Sequence, residues 1–137
     1  MEDIIKILHE GNYSCVIKNT GLRTFSQRGI ADLFGLLQYE PEFLKGSSVA
    51  DKVIGKAAAA IMISGKVKEL YANVISQAAI DLLEKSEIKI SFGKIVPFIE
   101  NRDKTGWCPM EKLCYEEKST ETILPLIEGF ITKMKTS

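Results

Sequence analysis

The residues best suited to chemistry lie in a polar stretch at residues 101–111 (NRDKTGWCPME). Cys108 directly precedes Pro109, and proline favours the first position of a helix. A thiol at that place would meet unpaired amides and the positive end of the helix dipole, which stabilise a thiolate. Cys108 is therefore a candidate nucleophile or redox thiol, with Glu111 or Asp103 as the base.

A structural role for Cys108 competes with the catalytic one. Inert cysteines that cap a helix or fill a pocket are common in protein interiors. The single histidine, His9, lies far away in the sequence near the amino terminus. Because a nucleophilic cysteine usually needs a base beside it, the residues alone favour the structural role.

A second polar group falls within the most apolar segment, residues 47–67 (SSVADKVIGKAAAAIMISGKV). The pattern predicts one central buried helix that begins at Ser48, with a capping-box variant three residues later. We assign four positions in its early turns to ligand binding: Asp51, Lys52, Gly55 and Lys56. Glycine inside a helix costs about 1 kcal/mol, so Gly55 indicates close approach of a backbone or a ligand.

An anionic ligand suits this arrangement, since helix amino termini attract negative charge. Lys52 and Lys56 would neutralise the anion, and Ser76, the predicted start of another helix, would help to orient it. Further ligand-binding candidates come from the polar stretch: Asn101, Arg102, Asp103, Thr105 and Gly106. The alternative is that both lysines form a solvated helix face beside Asp51.

The sequence predicts neither a metal nor a cofactor. Cys108 and Cys114 have no second cysteine or histidine pair to complete a zinc site. The phosphate-binding patterns GxxxxGK[ST] and GxGxxG are also missing.

Composition is that of one globular domain. The chain has 137 residues, 45% of them hydrophobic, with 18 basic and 18 acidic side chains. This balance predicts no general attraction to nucleic acid or to an anionic membrane. The amino terminus lacks a signal-peptide layout, no apolar run approaches the roughly 20 residues of a membrane span, and the three cysteines favour reduced thiols. We therefore expect a cytoplasmic protein.

Periodicity predicts an α/β fold with one mixed sheet between helical layers. Besides the central helix, we predict helices over residues 2–10, 29–39, 76–84, 109–116 and 120–135, the last interrupted or started late at Pro125. We predict strands over residues 14–18, 22–26, 68–75 and 88–96. The first two strands form a hairpin, and the strand, helix, strand order of the last two indicates a parallel crossover.

The closing helix also predicts assembly. It carries six large apolar side chains: Ile123, Leu124, Leu126, Ile127, Phe130 and Ile131. Since one small domain would not hide them all, we expect a homodimer or a larger assembly.

Two segments, ADKVIGKAAA at residues 50–59 and NRDKTGWCPME at residues 101–111, resemble a prokaryotic family of small uncharacterised proteins, a domain of unknown function. The resemblance spans nearly the whole chain and implies the cytidine deaminase-like fold, a three-layer α/β/α sandwich around a mixed sheet. In deaminases an H/C-x-E motif and a P-C-x-x-C motif open two successive helices. Residues 51–56 and 76–79 stand at those places here, so the resemblance implies a pocket without the zinc ligands or the proton-shuttling glutamate.

The sequence leaves three functions open. The first is a zinc-free binding protein or enzyme for a nucleotide-like or other anionic small molecule. The second is an enzyme that uses Cys108, and the third is a non-catalytic interaction module. For the first function we expect one concave site lined by Lys52, Lys56, Ser76, Arg102 and Cys108. Lys56 should be partly buried beside an acidic partner, such as Glu111 or Asp103.

Overall fold

A five-stranded mixed sheet organises the computed structural model, which describes residues 2–26, 30–100 and 106–136, the last three by backbone only. The helices are α1 (Glu2–Glu10), α2 (Ala31–Tyr39), α3 (Pro41–Leu44), α4 (Lys56–Ser64), α5 (Gln77–Leu83), α6 (Pro109–Cys114) and α7 (Thr120–Thr136). The strands are β1 (Cys15–Lys18), β2 (Leu22–Phe25), β3 (Ser48–Ile54), β4 (Glu69–Ser76) and β5 (Lys89–Val96).

The strands lie in the order β2-β1-β3-β4-β5. The hairpin strand β1 runs antiparallel to both β2 and β3. The strands β3, β4 and β5 are parallel to one another, and α4 and α5 make the connections between them. The predicted α/β class, the hairpin and the parallel crossover are confirmed.

The prediction of one helix over residues 47–67 is wrong in its first third. Ser48–Ile54 form a strand at the centre of the sheet, and the helix begins only at Lys56. Ser48 is therefore a strand residue, not a helix cap. A central strand is covered on both faces, so its sequence lacks the alternation that would distinguish it from a buried helix.

Helices pack on both faces of the sheet. On one face α1 buries Ile4 and Leu8 against Val16 and Ala50. On the other face lies the main core, where every residue of α4 from position 56 to 62 is buried. Adjacent strand residues point to opposite faces, so β1 and β3 contribute to both layers. The sequence predicts no solvent-facing side over residues 57–63, and this is confirmed as far as Met62, whereas Ile63 is partly exposed.

Several element boundaries match the sequence prediction, with two differences. Ser76 is the N-cap of α5, as predicted, and its hydroxyl oxygen accepts a hydrogen bond from the Ala79 amide at 3.2 Å. The helix α3 was not predicted, and α7 runs through Pro125 without interruption. None of the described helices has the length and apolar content needed to cross a membrane.

The apolar face of α7 packs inside its own chain. Ile123 and Ile127 are fully buried, and Leu124, Phe130 and Ile131 pack against the core while partly buried. Leu126 is also partly buried, so two of the six side chains named in the assembly prediction are fully hidden and four are partly exposed. The homodimer itself stays a prediction.

Candidate functional site

A cleft of about 960 Å³, called the main cleft below, opens beside the carboxyl end of β3. Its wall is formed by Asn12 and residues 14–15, 25–26, 30–33, 51–53, 55–58, 99–100, 108–111 and 130–131. Small-molecule sites in proteins commonly have volumes of roughly 300–1,000 Å³. The main cleft is therefore large enough for a ligand of drug or nucleotide size.

The main cleft unites many of the residues predicted from sequence. Six of them line it: Asp51, Lys52, Gly55, Lys56, Cys108 and Glu111. Ser76 lies directly behind the wall, where its hydroxyl donates to Glu111. Gly106 does not line the cleft, and the predicted site residues Asn101, Arg102, Asp103 and Thr105 lie outside the described residues. The residues predicted in the segment 51–56 thus line one cleft with Cys108 and Glu111 of the polar stretch, whereas Ser76 does not line it.

The carboxylate of Glu111, a residue of α6, lies at the amino-terminal end of α4. The side chain is 2% exposed, and its Oε1 accepts hydrogen bonds from the Lys56 amide at 2.9 Å and the Ser76 hydroxyl at 3.2 Å. Its Oε2 accepts a hydrogen bond from the Ile99 amide at 2.8 Å. A helix amino terminus favours negative charge, so α6 here supplies the anion that the sequence assigned to a ligand.

Gly55 gives this carboxylate room. A Cβ atom at position 55 would lie 3.1 Å from Cγ1 of Ile99 and 3.3 Å from each carboxylate oxygen of Glu111. The close approach inferred from this glycine is therefore made by the chain's own side chains.

Lys56 ties α4 to the end of α6. Its side chain is 8% exposed, and its Nζ donates to the carbonyl oxygens of Tyr115, at 2.7 Å, and Glu117. The pKa of this ammonium group is lowered, because the effect of burial exceeds the opposing effect of nearby Cys114, Glu117 and Glu111. The predicted burial is confirmed, but the ammonium meets backbone carbonyls, and the contact with Glu111 comes from the main-chain amide.

The sequence suggested that Lys52 and Lys56 share one helix face, and this prediction is wrong. Lys52 lies in β3, and its Nζ donates to Oδ1 of Asn12 at 2.6 Å. The two ammonium groups are thus separated by the strand-to-helix junction and held by different partners.

Asp51 is a second buried acid in the wall of the main cleft, besides Glu111. It lies in β3 with 9% exposure, faces Cys15 of β1 in the strand register, and accepts a hydrogen bond from the Val53 amide at 3.1 Å. Burial raises the pKa of Asp51 to about 7, against the opposing effect of its hydrogen bonds. Burial, followed by the charge of Asp51, raises the pKa of the Cys15 thiol. This pair was missed because no sequence pattern reveals which residues face each other across strands.

Cys108 is the one cysteine of the three that is not buried. It occupies the N-cap position of α6 without a side-chain capping bond, and its amide donates to the Ile99 carbonyl at 2.7 Å. The candidate base Glu111 is engaged in the hydrogen bonds described above, and His9 contacts Asn73 of β4 instead. Of the two candidate bases, Glu111 is thus held by other groups, and Asp103 lies outside the described residues.

The described part of the chain contains no group of three His, Cys, Asp or Glu side chains placed to hold a metal ion.

Together, the sheet and the main cleft define an α/β domain with a ligand-sized pocket where β3 passes into α4. Residues 3–131 match the model of a family described as a domain of unknown function, DUF1893 (TM1506), and the chain belongs to this family. It is similar to the crystal structure of a DUF1893 family protein from Thermotoga maritima, with a TM-score of 0.86 and 27% identity. That match covers 93% of this chain and 87% of the other. No curated protein matches the chain.

Proposed function

We propose that this protein is a zinc-free small-molecule-binding protein of the cytidine deaminase-like fold, and that a nucleotide-like ligand binds in the main cleft. The observation that carries the proposal is convergence. Polar residues from two separated parts of the sequence, Asp51, Lys52 and Lys56 in one and Cys108 and Glu111 in the other, line one cleft of ligand size.

The order of elements supports the deaminase-like part of the proposal. Two helices, α4 and α5, follow the neighbouring parallel strands β3 and β4, so both begin on the side of the sheet where the carboxyl ends of these strands lie. Ligands of open α/β sheets bind at the carboxyl ends of the strands. Residues 55–57 and 76–79, at the two helix starts, contain no histidine or cysteine. Glu111 bridges these starts, and its bonds there leave a set of residues that does not fit zinc.

The walls favour a planar ring with polar edges. Apolar side chains such as Phe25, Ile30 and Ile99 offer surfaces on which a heterocycle can pack. The carboxyl group of Asp51 can exchange hydrogen bonds with ring nitrogens and amino groups. The earlier assignment of Arg102 to the anionic part of the ligand stays a prediction.

Thermal-shift measurements with a panel of nucleosides and nucleoside monophosphates test this function. A ligand at 100 times its dissociation constant adds about 2.7 kcal/mol to the free energy of unfolding. Asp51→Asn should abolish the ligand-induced shift, because it replaces part of the acceptor surface with a donor. Glu116→Gln, at an exposed position away from the main cleft, is the matched control and should retain the shift. A panel that shifts nothing would contradict the proposal.

Partial exposure of Cys108, in contrast to the buried Cys15 and Cys114, favours a second candidate, thiol chemistry at this residue. Labelling of the full chain with a thiol reagent across pH, compared with Cys108→Ser, measures how much thiolate this position supports. A labelling rate that rises only at the pH of an ordinary thiol would remove this candidate.

A further inference from the structure

We propose that β5 is an interaction surface at which a second copy of this chain adds its own β5, antiparallel, around a two-fold axis. This inference is independent of the ligand proposed for the main cleft. It rests on the contrast between the two edges of the sheet.

Among the described residues, the β5 edge is long and has no strand on its outer side. β5 has eight residues, its only strand partner among the described residues is β4, and six of its eight residues are exposed. These include Phe92 at 40% and Ile95 at 44% exposure. The helix α1 packs mainly on β1 and β3, and its His9 contacts Asn73 of β4. A long edge with exposed apolar side chains offers backbone groups to any pairing strand.

The opposite edge is short and guarded. β2 has four residues, and Arg23 within it donates two hydrogen bonds, of 2.7 and 2.6 Å, to the carboxylate of Glu40. The guanidinium group of Arg23 also lies 4.3 Å from the ring centre of Phe43. Each copy therefore offers one long edge, so pairing stops at two chains and does not continue into a fibre.

The sequence of β5 suits pairing with itself. A two-fold axis at Gly93 sets Ile90 of each copy opposite Val96 of the other, and Phe92 opposite Lys94. No two lysines then face each other across the strands, and each Lys94 can lie over an aromatic ring. The two copies of Gly93 at the axis have no side chains that could crowd each other on the faces of the sheet.

The direction of the backbone amides identifies a selective variant. The Lys89 amide donates to the Lys68 carbonyl at 3.2 Å, on the β4 side. The register continues without a break from Lys89 to Phe92, and residues of a parallel strand face its two neighbours alternately. The Phe92 amide therefore points away from β4. Phe92→Pro removes this outward donor without removing a bond to β4, whereas Phe92→Ala removes the ring but keeps the donor.

Light scattering on the full chain over a wide concentration range tests the proposal. The wild type should show twice the mass of one chain, Phe92→Ala should still dimerise, and Phe92→Pro should have the mass of a monomer. A monomeric wild type, or a Phe92→Pro variant that remains dimeric, would overturn the proposal.

Amide hydrogen exchange of the wild type provides a readout that does not depend on the folding of either variant. The Phe92 amide should become more protected as the protein concentration rises. Protection that does not change with concentration in a dimeric sample would place the interface elsewhere and overturn the proposal.

Discussion

At the scale of single residues, Glu111 shows how the same side chain can be a catalytic base in sequence and a capping group in structure. Its spacing from Cys108 suggested a nucleophile and base pair. In the fold, its carboxylate accepts hydrogen bonds from Lys56, Ser76 and Ile99. An anion held at a helix start stabilises the helix, so Glu111 fixes the position of α4 against α5 and α6.

Asp51 gives a testable dependence of stability on pH. Its pKa is about 7 in the folded chain, against a reference value of 3.8. The folded state therefore holds the proton more tightly, and stability from this group is complete below pH 4 and is lost as the pH rises through 7. The slope is at most about 1.4 kcal/mol per pH unit. Asp51→Asn should remove this dependence and be more stable than the wild type at pH 8, as measured by urea unfolding at pH 5 and pH 8.

Other carboxylates also titrate, so the informative quantity is the difference in unfolding free energy between the wild type and Asp51→Asn at each pH. Glu116→Gln, which removes an exposed carboxylate, controls for a general change in charge. A difference that stays constant from pH 5 to pH 8 would show that Asp51 does not titrate in this window.

At the scale of elements, the junction between β3 and α4 is the place where sequence and structure differ most. A capping pattern at Ser48 and the apolar run after Gly55 suggested one continuous helix. The structure places a strand before Gly55, and this glycine, with extended backbone angles, is the N-cap of α4. Glycine was interpreted as an anomaly within a helix, although it marked the boundary between two elements.

Two glycine substitutions test this account of the junction. In Gly55→Ala the new Cβ atom would lie 3.1 Å from Ile99 and 3.3 Å from the held carboxylate of Glu111, so we expect a loss of about 1–2 kcal/mol in unfolding free energy. Gly35→Ala is the matched control, because Gly35 lies inside α2 with no atom within 4 Å of the new Cβ. Alanine favours a helix, so this variant should gain about 0.5–1 kcal/mol.

Urea unfolding at neutral pH measures both variants. If Gly55→Ala were as stable as the wild type, the packing of Glu111 against this glycine would be looser than the structure indicates.

At the scale of the whole molecule, local patterns predicted most elements but not the contacts between them. Capping and periodicity located α1, α5 and α6 because those signals are carried by neighbouring residues. The pairing of Cys15 with Asp51, and the contact of Lys56 with the end of α6, depend on register and packing between distant segments. That residues near the start of α4 line the main cleft was still predictable, because helices that follow parallel strands begin at the carboxyl ends of those strands, where ligands bind.

The proposed assignment as a zinc-free protein leads to a prediction about the intact molecule. Protein purified without a chelator should contain zinc well below one ion per chain, because the starts of α4 and α5 offer no histidine or cysteine and Glu111 is already bound by amides. Removing a structural metal lowers the free energy of unfolding and therefore the melting temperature. Because we expect no zinc in this protein, treatment with EDTA should leave its melting temperature unchanged. Elemental analysis after dialysis gives the zinc content, and calorimetry gives the melting temperature. Stoichiometric zinc that survives dialysis would require a different ligand set and would reopen hydrolytic deamination as the reaction.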